Sequence, residues 1–441
     1  MNEQDFSQLL QKYADVIVKV GLNLRNDQRL SIRGNLETAP LIRKVAESAY
    51  KAGARYVDVL WADEQVNRIR LQYADPDTLT QLPDWILTRF EEYHKNGEAE
   101  LAIAAIDPDL YAGIDSDRVA TSRKTLLQKV WEPLRKYENL SNWCVAAAST
   151  PPWAKKVFPD LPEDQAVDQL WEAIFKACRI DAPDPVQAWE EHIEKLVKYK
   201  DYLNAKRYTG LHYRGPGTDL TIGLPEVQHW SGAQESFKNG ITGTVNIPTE
   251  EVFAAPHKDR VDGIVTASLP LNLMGTSIEG ICIRFENGCA VEVSANKGEA
   301  DLRKLLETDE NAPRLGEVAL VPHSSPISQS GVLFYNTLFD ENAACHLALG
   351  NAYRISFQNG ENMTEEEFAA HGGNKSLIHV DFMIGSAELD IDGICADGST
   401  EPVMRSGEWA FTVSYSCCSL LRAQKSLFVR LFSSIEHLLY F

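Results

Sequence analysis

Between residues 246 and 385 the chain sets out acids and histidines in four short clusters: NIPTEEVF at 246–253, RLGEVALVP at 314–322, FDENAACHLALGNAY at 339–353 and HVDFMIG at 379–385. Two histidines and several carboxylates delivered from separate elements are the donor mix that a pair of hard-to-borderline divalent cations needs. In HVDFMIG the alternation and β-branching predict a strand. Residues i and i+2 of a strand share a face, so His379 and Asp381 present an imidazole and a carboxylate side by side. One carboxylate has two oxygens and can bridge two cations. Glu317 stands directly before the apolar run Val318–Val321, and Glu250 just after Ile247-Pro248, each at the end of an expected strand.

In the stretch from Asp340 to His346 two acids stand five and six residues before a histidine, in small apolar surroundings with helical potential. Asp340 alone reads as an N-cap, and Cys345 as a small buried residue. Tyr353 lies seven residues beyond His346, about 10 Å along the axis of a continuous helix, where a phenol is able to face a substrate. Taken singly, each of these groups also fits an ordinary role: a core histidine, a solvated carboxylate at a strand end, a packed tyrosine. Their concentration in one region is what points to a metal.

The elements that must position them divide the chain in two. At 441 residues and 44% apolar composition, roughly two or three domains of about 150 residues with real cores are expected. A formal charge of −20 supplies no basic stripe for a nucleic-acid backbone or an anionic membrane surface, which leaves small-molecule or peptide ligands. The eight cysteines form no CxxC pair and read as reduced thiols. The N-terminus is an acidic amphipathic helix pattern without a basic, apolar leader, and no apolar run approaches membrane-spanning length, so the expectation is a cytoplasmic protein.

In the first 150 residues short strands at Leu30–Ile32, Tyr56–Trp61, Leu101–Ile106 and Trp143–Ala148 alternate with helical spacing, clearest over Glu37–Ala52, where Leu41, Ile42, Val45 and Ala49 fall on one face. That order predicts a parallel, Rossmann-like sheet. Arg33-Gly34-Asn35 stands where a dinucleotide-binding GxGxxG would follow the first strand, so the layout is architecture and not a cofactor site. Two helices, Asp164–Cys178 and Val186–Asn204, complete this half. Beyond Lys206 the texture turns to β-branched runs at Tyr208–Tyr213, Leu220–Ile222, Ile241–Ile247, Gly263–Ala267 and Ile278–Phe285, with Asn287-Gly288 as a hairpin turn into Ala290–Val293. The fold class is therefore α/β: an N-terminal Rossmann-like α/β domain at 1–205 with its helical connector, and a β-rich α+β metal-binding domain at 206–410. Residues 411–441 follow neither period and read as an atypical tail.

The strings NIPTEEVF, RLGEVALVP, FYNTLFDENAACHLALGNAY, GGNKSLIHVDFMIGS and GEWA, together with GPGTDLTIGLP at 215–225 and APLIRKVAESAYKAGARYVDVLW at 39–61, resemble the M29 aminopeptidases, the thermophilic aminopeptidase T and leucyl aminopeptidase group. The resemblance covers about residues 1–410. It implies a homodimer enclosing a substrate cavity and a site of two divalent cations, zinc or cobalt with magnesium as the other option. By motif the metal ligands fall on Glu250, Glu317, His346, His379 and Asp381, with Glu341 as a further ligand or as the base, and the active-site tyrosine falls on Tyr353. The implied activity is removal of N-terminal amino acids from peptides with a free N-terminus by metal-activated water. Asp381 or Glu317 would bridge, and Tyr353 would donate to the developing oxyanion. The rival classes are another two-metal amidohydrolase and a metal-dependent binding protein without catalysis.

Overall fold

The computed structural model describes residues 2–412 apart from 106, 138, 274 and 275. Four strands, β1 (Arg29–Asn35), β2 (Tyr56–Ala62), β3 (Ala99–Ala104) and β4 (Trp143–Ala147), pair in parallel in the order β2-β1-β3-β4. The inner strands β1 and β3 are buried along almost their whole length, as expected of a parallel sheet covered on both faces, and they bury Ser31, Arg33, Asn35 and Glu100 along with their apolar residues. β2, at an edge, leaves Tyr56 and Trp61 exposed. Helix Ala39–Lys51 returns the chain from β1 to β2 and buries Leu41, Ile42, Val45 and Ala49. It comes so close to β1 that a Cβ on Gly34 would lie 2.6 Å from the Ile42 side chain. Helix Glu3–Val16 packs beside it and meets helix Glu163–Ala177 through aromatic contacts such as Phe6 edge-on to Trp171 at 5.5 Å; on the opposite face Arg33 of β1 lies over the rings of Phe90, from helix Asp84–Lys95, and Trp131. No helix among the described residues is long and apolar enough to cross a membrane.

Helix Pro185–Lys206 stops at Arg207, in left-handed conformation, and the two larger sheets beyond it are antiparallel. One has eight strands, with Gly210–Gly215 and Thr218–Gly223 at its centre and the hairpin Cys282–Glu286/Cys289–Ser294 at one edge. The turn of that hairpin carries φ of 50° at Asn287 and 81° at Gly288, the backbone that favours an Asn-Gly pair. The other sheet has four strands in the order His379–Met383, His346–Gly350, Leu315–Leu320, Val252–Ala254. Its two central strands are wholly buried.

Several local expectations differ from the structure; Glu317, expected at the end of a strand, lies inside the strand Leu315–Leu320. Residues 340–353 are not one helix: Thr337–Asp340 is a single helical turn, Glu341–Ala343 a 3₁₀ turn, and His346–Gly350 a strand. A short apolar run carries no decisive period, and pairing on both edges settles HLALG as a strand. Asp340 ends its turn instead of capping it; its carboxylate accepts from the amides of Phe334 (2.8 Å) and Asn336 (2.9 Å), while Asn336 is the N-cap. The run Ile278–Phe285 breaks at Gly280, φ 66°, into strands Thr276–Ile278 and Cys282–Glu286.

The run Ile241–Ile247 contains only a two-residue strand, Thr242–Gly243. Its remainder is held by the parallel sheet: the Val145 amide donates to the Val245 carbonyl (2.7 Å) and the Ile247 amide to the Val145 carbonyl (2.9 Å). The segment carrying Glu250 and Glu251 is thus fixed at one end to β4 and at the other to the four-stranded sheet.

Candidate metal centre

On the strand His346–Gly350 every second side chain faces the same way, so His346, Ala348 and Gly350 share a face. Ala348 is in register with Glu317 on one side and Asp381 on the other, and Gly350 is in register with His379. Strands stand about 4.8 Å apart, so two carboxylates lean toward each other across an alanine. A small residue between them leaves space that their charges make unfavourable to leave without a cation.

The imidazole Nε2 of His346 lies 3.2 Å from Glu251 Oε2 and 3.5 Å from Glu317 Oε1. That of His379 lies 3.7 Å from Glu317 Oε2 and 3.5 Å from Asp381 Oδ1. Two groups follow, Glu251/Glu317/His346 and Glu317/His379/Asp381, in each of which the donor atoms lie within 4.8 Å of one another. Glu317 belongs to both and turns a different oxygen to each.

Both rings are held by backbone carbonyls, which only accept. His346 Nδ1–H donates to Ala344 O at 3.1 Å and His379 Nδ1–H to Asn351 O at 2.8 Å. Each Nε2 is thereby turned toward carboxylate oxygens: it can hold a proton and donate to them, or, once that proton is displaced, offer its lone pair to a cation standing between them. This is the outer support that metal-binding histidines usually have, and the donors fit a divalent cation on chemistry alone.

Burial pushes the Glu317 carboxyl up to about 7, with Asp381 and Glu251 adding repulsion and His346 opposing it. Burial would lower His346, but its contacts with Glu251 and Glu317 reverse the sign and hold the ring well above its usual value. Glu341 is buried beside the cluster without joining either group. Burial, then the charges of Glu251 and Asp381, hold its carboxyl well above the usual carboxylate range. Tyr353 precedes the turn Arg354–Ser356, and its ring centroid is 4.4 Å from that of His379. Glu251, Glu317, Glu341, Tyr353, His379 and Asp381 line one cavity of about 50 Å³.

Glu250, an expected ligand, lies outside both donor groups and outside this cavity. Its oxygens meet Arg179 Nη1 at 2.5 Å and Nη2 at 2.9 Å, with His192 Nε2 at 3.6 Å. Arg179 in turn lies over the Trp189 ring. Consecutive residues of an extended segment point to opposite sides, so only one of the pair Glu250-Glu251 can reach the histidines, and here it is Glu251. The adjacent glutamate in TEEV was the available signal for it; Arg179, the group that claims Glu250, is remote in sequence. The Glu250 amide donates to Asn342 Oδ1 at 2.7 Å, tying this loop to the turn that carries Glu341.

Comparison with known proteins assigns the chain to a family. The family model described as thermophilic metalloprotease (M29) matches residues 6–409. Aminopeptidase 2 of Geobacillus stearothermophilus is 46% identical over 410 residues, 92% of this chain and 98% of that protein. Aminopeptidase T of Thermus thermophilus is 45% identical over 405 residues, 92% and 99% of the two chains. The solved structure of wild-type AmpT from Thermus thermophilus superimposes with a TM-score of 0.87 at 44% identity, covering 92% of this chain and 100% of that one. A family model that spans nearly all of the described chain, and relatives this similar along their whole lengths, place the protein in the M29 family of thermophilic metalloproteases.

Proposed function

We propose that this protein is an aminopeptidase that removes the N-terminal residue of peptides at a centre of two divalent cations, held by Glu251 and His346 on one side, His379 and Asp381 on the other, and Glu317 between them. The observation that carries the reading is Glu317, whose two oxygens face two different histidine-containing groups. Two imidazoles among carboxylates suit zinc or cobalt better than magnesium, which takes oxygen ligands and water. When bound, such a pair polarises a carbonyl and makes water nucleophilic near neutral pH.

The chain's own groups do the rest. The carboxylate-lined cavity attracts the ammonium of a free N-terminus and disfavours an acylated one. At about 50 Å³, with about 10–15 Å³ needed per water, it holds a few waters and no more than the reacting end of a peptide. A wider chamber of about 320 Å³ adjoins it through Gly232, Gln234 and Glu235. Glu341, buried beside the ligands yet outside both groups, is placed to take the proton of the attacking water and return it to the leaving amine. Tyr353, held against His379, donates its hydroxyl to the carbonyl oxygen as charge develops there.

The reading extends to a cytoplasmic homodimer. Its support is that all six described cysteines are free, and that edge strand β2 and helix Glu64–Tyr73 leave Tyr56, Trp61, Val66, Ile69 and Tyr73 exposed. The test of function is hydrolysis of leucyl-p-nitroanilide before and after chelation, and after Co²⁺ or Zn²⁺ is returned. Activity should vanish and come back; unchanged activity in protein shown to be metal-free would refute the proposal.

A further inference from the structure

A second cavity, of about 110 Å³, also opens on Asp381, and nothing in the chemistry above uses it. Its walls come from both halves of the molecule. Asp107 and Tyr111 follow the C-terminal end of β3, and Arg123 stands on helix Ser116–Leu126; Leu271, Tyr335 and Met383 come from the antiparallel part. The crevice beyond the C-terminal ends of parallel strands is where open α/β sheets usually receive ligands.

Arg123 is the unusual member. Among the described residues it forms no ion pair, in a chain with 63 acids to 43 bases. The positions three and four residues away on its helix are Val119, Ala120, Leu126 and Leu127, so no acid neutralises it locally. Its guanidinium lies over the Tyr111 ring at 5.3 Å and also engages the Tyr111 hydroxyl; with five N–H donors in its fork it keeps others for a ligand. The acids on the same walls are engaged elsewhere: Asp381 with the metal-site histidine, Asp340 with the amides of Phe334 and Asn336, and Asp107 Oδ1 with the Asp109 amide at 2.9 Å. By contrast the cavity at the metal centre has four glutamates and no lysine or arginine among its described lining residues. In the wider chamber Lys200 shares the wall with Glu235 and Glu361.

We infer that Arg123 binds a carboxylate of the peptide on the leaving-group side of the scissile bond. The inference rests on the aminopeptidase reading above. A short peptide is positive at one end and negative at the other, and the two cavities meeting at Asp381 are polarised in the same sense, with glutamates on one side and an unneutralised arginine on the other. The carboxylate is either the C-terminus of a di- or tripeptide or an acidic side chain just beyond the scissile bond.

The test uses full-length, metal-loaded enzyme and four substrates: leucylglycine, leucylglycinamide, the α-amide of leucylaspartate, and leucyl-p-nitroanilide. Wild-type kcat/KM should favour a carboxylate-bearing dipeptide over leucylglycinamide on the order of 10-fold, mainly through KM, as expected for a charge-assisted contact. Preference for leucylglycine identifies the C-terminus as the group bound, and preference for the aspartyl amide the side chain. Arg123→Gln should bring the ratio to about one, and Arg123→Lys, which keeps the charge without the fork, should retain part of it. Hydrolysis of all four substrates without discrimination in the wild type, or discrimination that survives in Arg123→Gln, overturns the role of Arg123 alone. Failure to hydrolyse any of them overturns the aminopeptidase reading and this inference with it. If the glutamine variant does not fold, Arg123→Lys decides: a ratio as large as that of the wild type overturns the role of Arg123, and a reduced ratio supports it.

Discussion

Replacing each of two neighbouring glutamates separates a ligand from a structural ion pair. Glu250 is 3% exposed, and both of its oxygens are held by Arg179, whose side chain is 18% exposed. Glu250→Gln keeps the shape but removes the charge, leaving a largely buried guanidinium without its anion. Breaking such a pair from one side costs about 3–5 kcal/mol, and the residual exposure of Arg179 argues for the lower end. At about 2 °C per kcal/mol for a chain of this size, Tm should fall by roughly 6 °C or more. Metal content per folded chain should hold, since Glu250 lies outside both donor groups. Glu251→Gln removes an anionic donor 3.2 Å from His346 Nε2. It should lose metal from that position and most activity, while the metal-free protein changes little in Tm. The assay is thermal unfolding of chelated protein beside elemental analysis of reconstituted protein. The reasoning is refuted if Glu250→Gln loses metal at unchanged Tm while Glu251→Gln keeps its metal.

Glu341→Gln should retain both cations yet lose about 10²–10⁴-fold in kcat, the usual effect of removing a general base; loss of metal would instead make Glu341 a ligand. Tyr353→Phe preserves the ring against His379 and should lower kcat roughly 10²–10³-fold with little change in KM, whereas kcat within about threefold of wild type would assign Tyr353 to packing. Burial pushes the Glu64 carboxyl from its ordinary 4.5 up to about 7. The fold thus favours its neutral form, and this contribution to stability is complete below pH 4.5 and lost as pH rises through 7. Glu64→Gln should flatten the decline of Tm over that window, and an unaltered profile would count against the assignment. Truncation after Ala410 removes Phe411, stacked on Tyr202 at 3.7 Å, at a cost of about 1 kcal/mol. Truncation after Thr412 spares it, so equal Tm for the two would show that the contact contributes nothing.

How legible these features are in the sequence depends on whether neighbours in the chain or neighbours in space decide them. β1 to β4 and helix Ala39–Lys51 are readable because each carries its own period and its own stops, Pro40 and Gly53 among them. The i, i+2 relation of His379 and Asp381 survives because a strand alternates whatever it pairs with. HLALG is not readable, since a short apolar run becomes a strand only through its partners Leu315–Leu320 and His379–Met383. The choice between Glu250 and Glu251 is of the same kind, decided by an arginine 71 residues away. Phe411, the first residue of the expected tail, packs on Tyr199 and Tyr202; residues 413–441 lie outside the described part.

The most direct test of the two-cation centre is to titrate metal-free protein with Co²⁺ or Zn²⁺ while following bound metal and hydrolysis of leucyl-p-nitroanilide together. The account predicts no activity without metal, saturation at two cations per chain, and loss of both steps in Glu317→Ala, because Glu317 turns one oxygen to each donor group. Full activity in metal-free protein, or normal binding of two cations by Glu317→Ala, would contradict it.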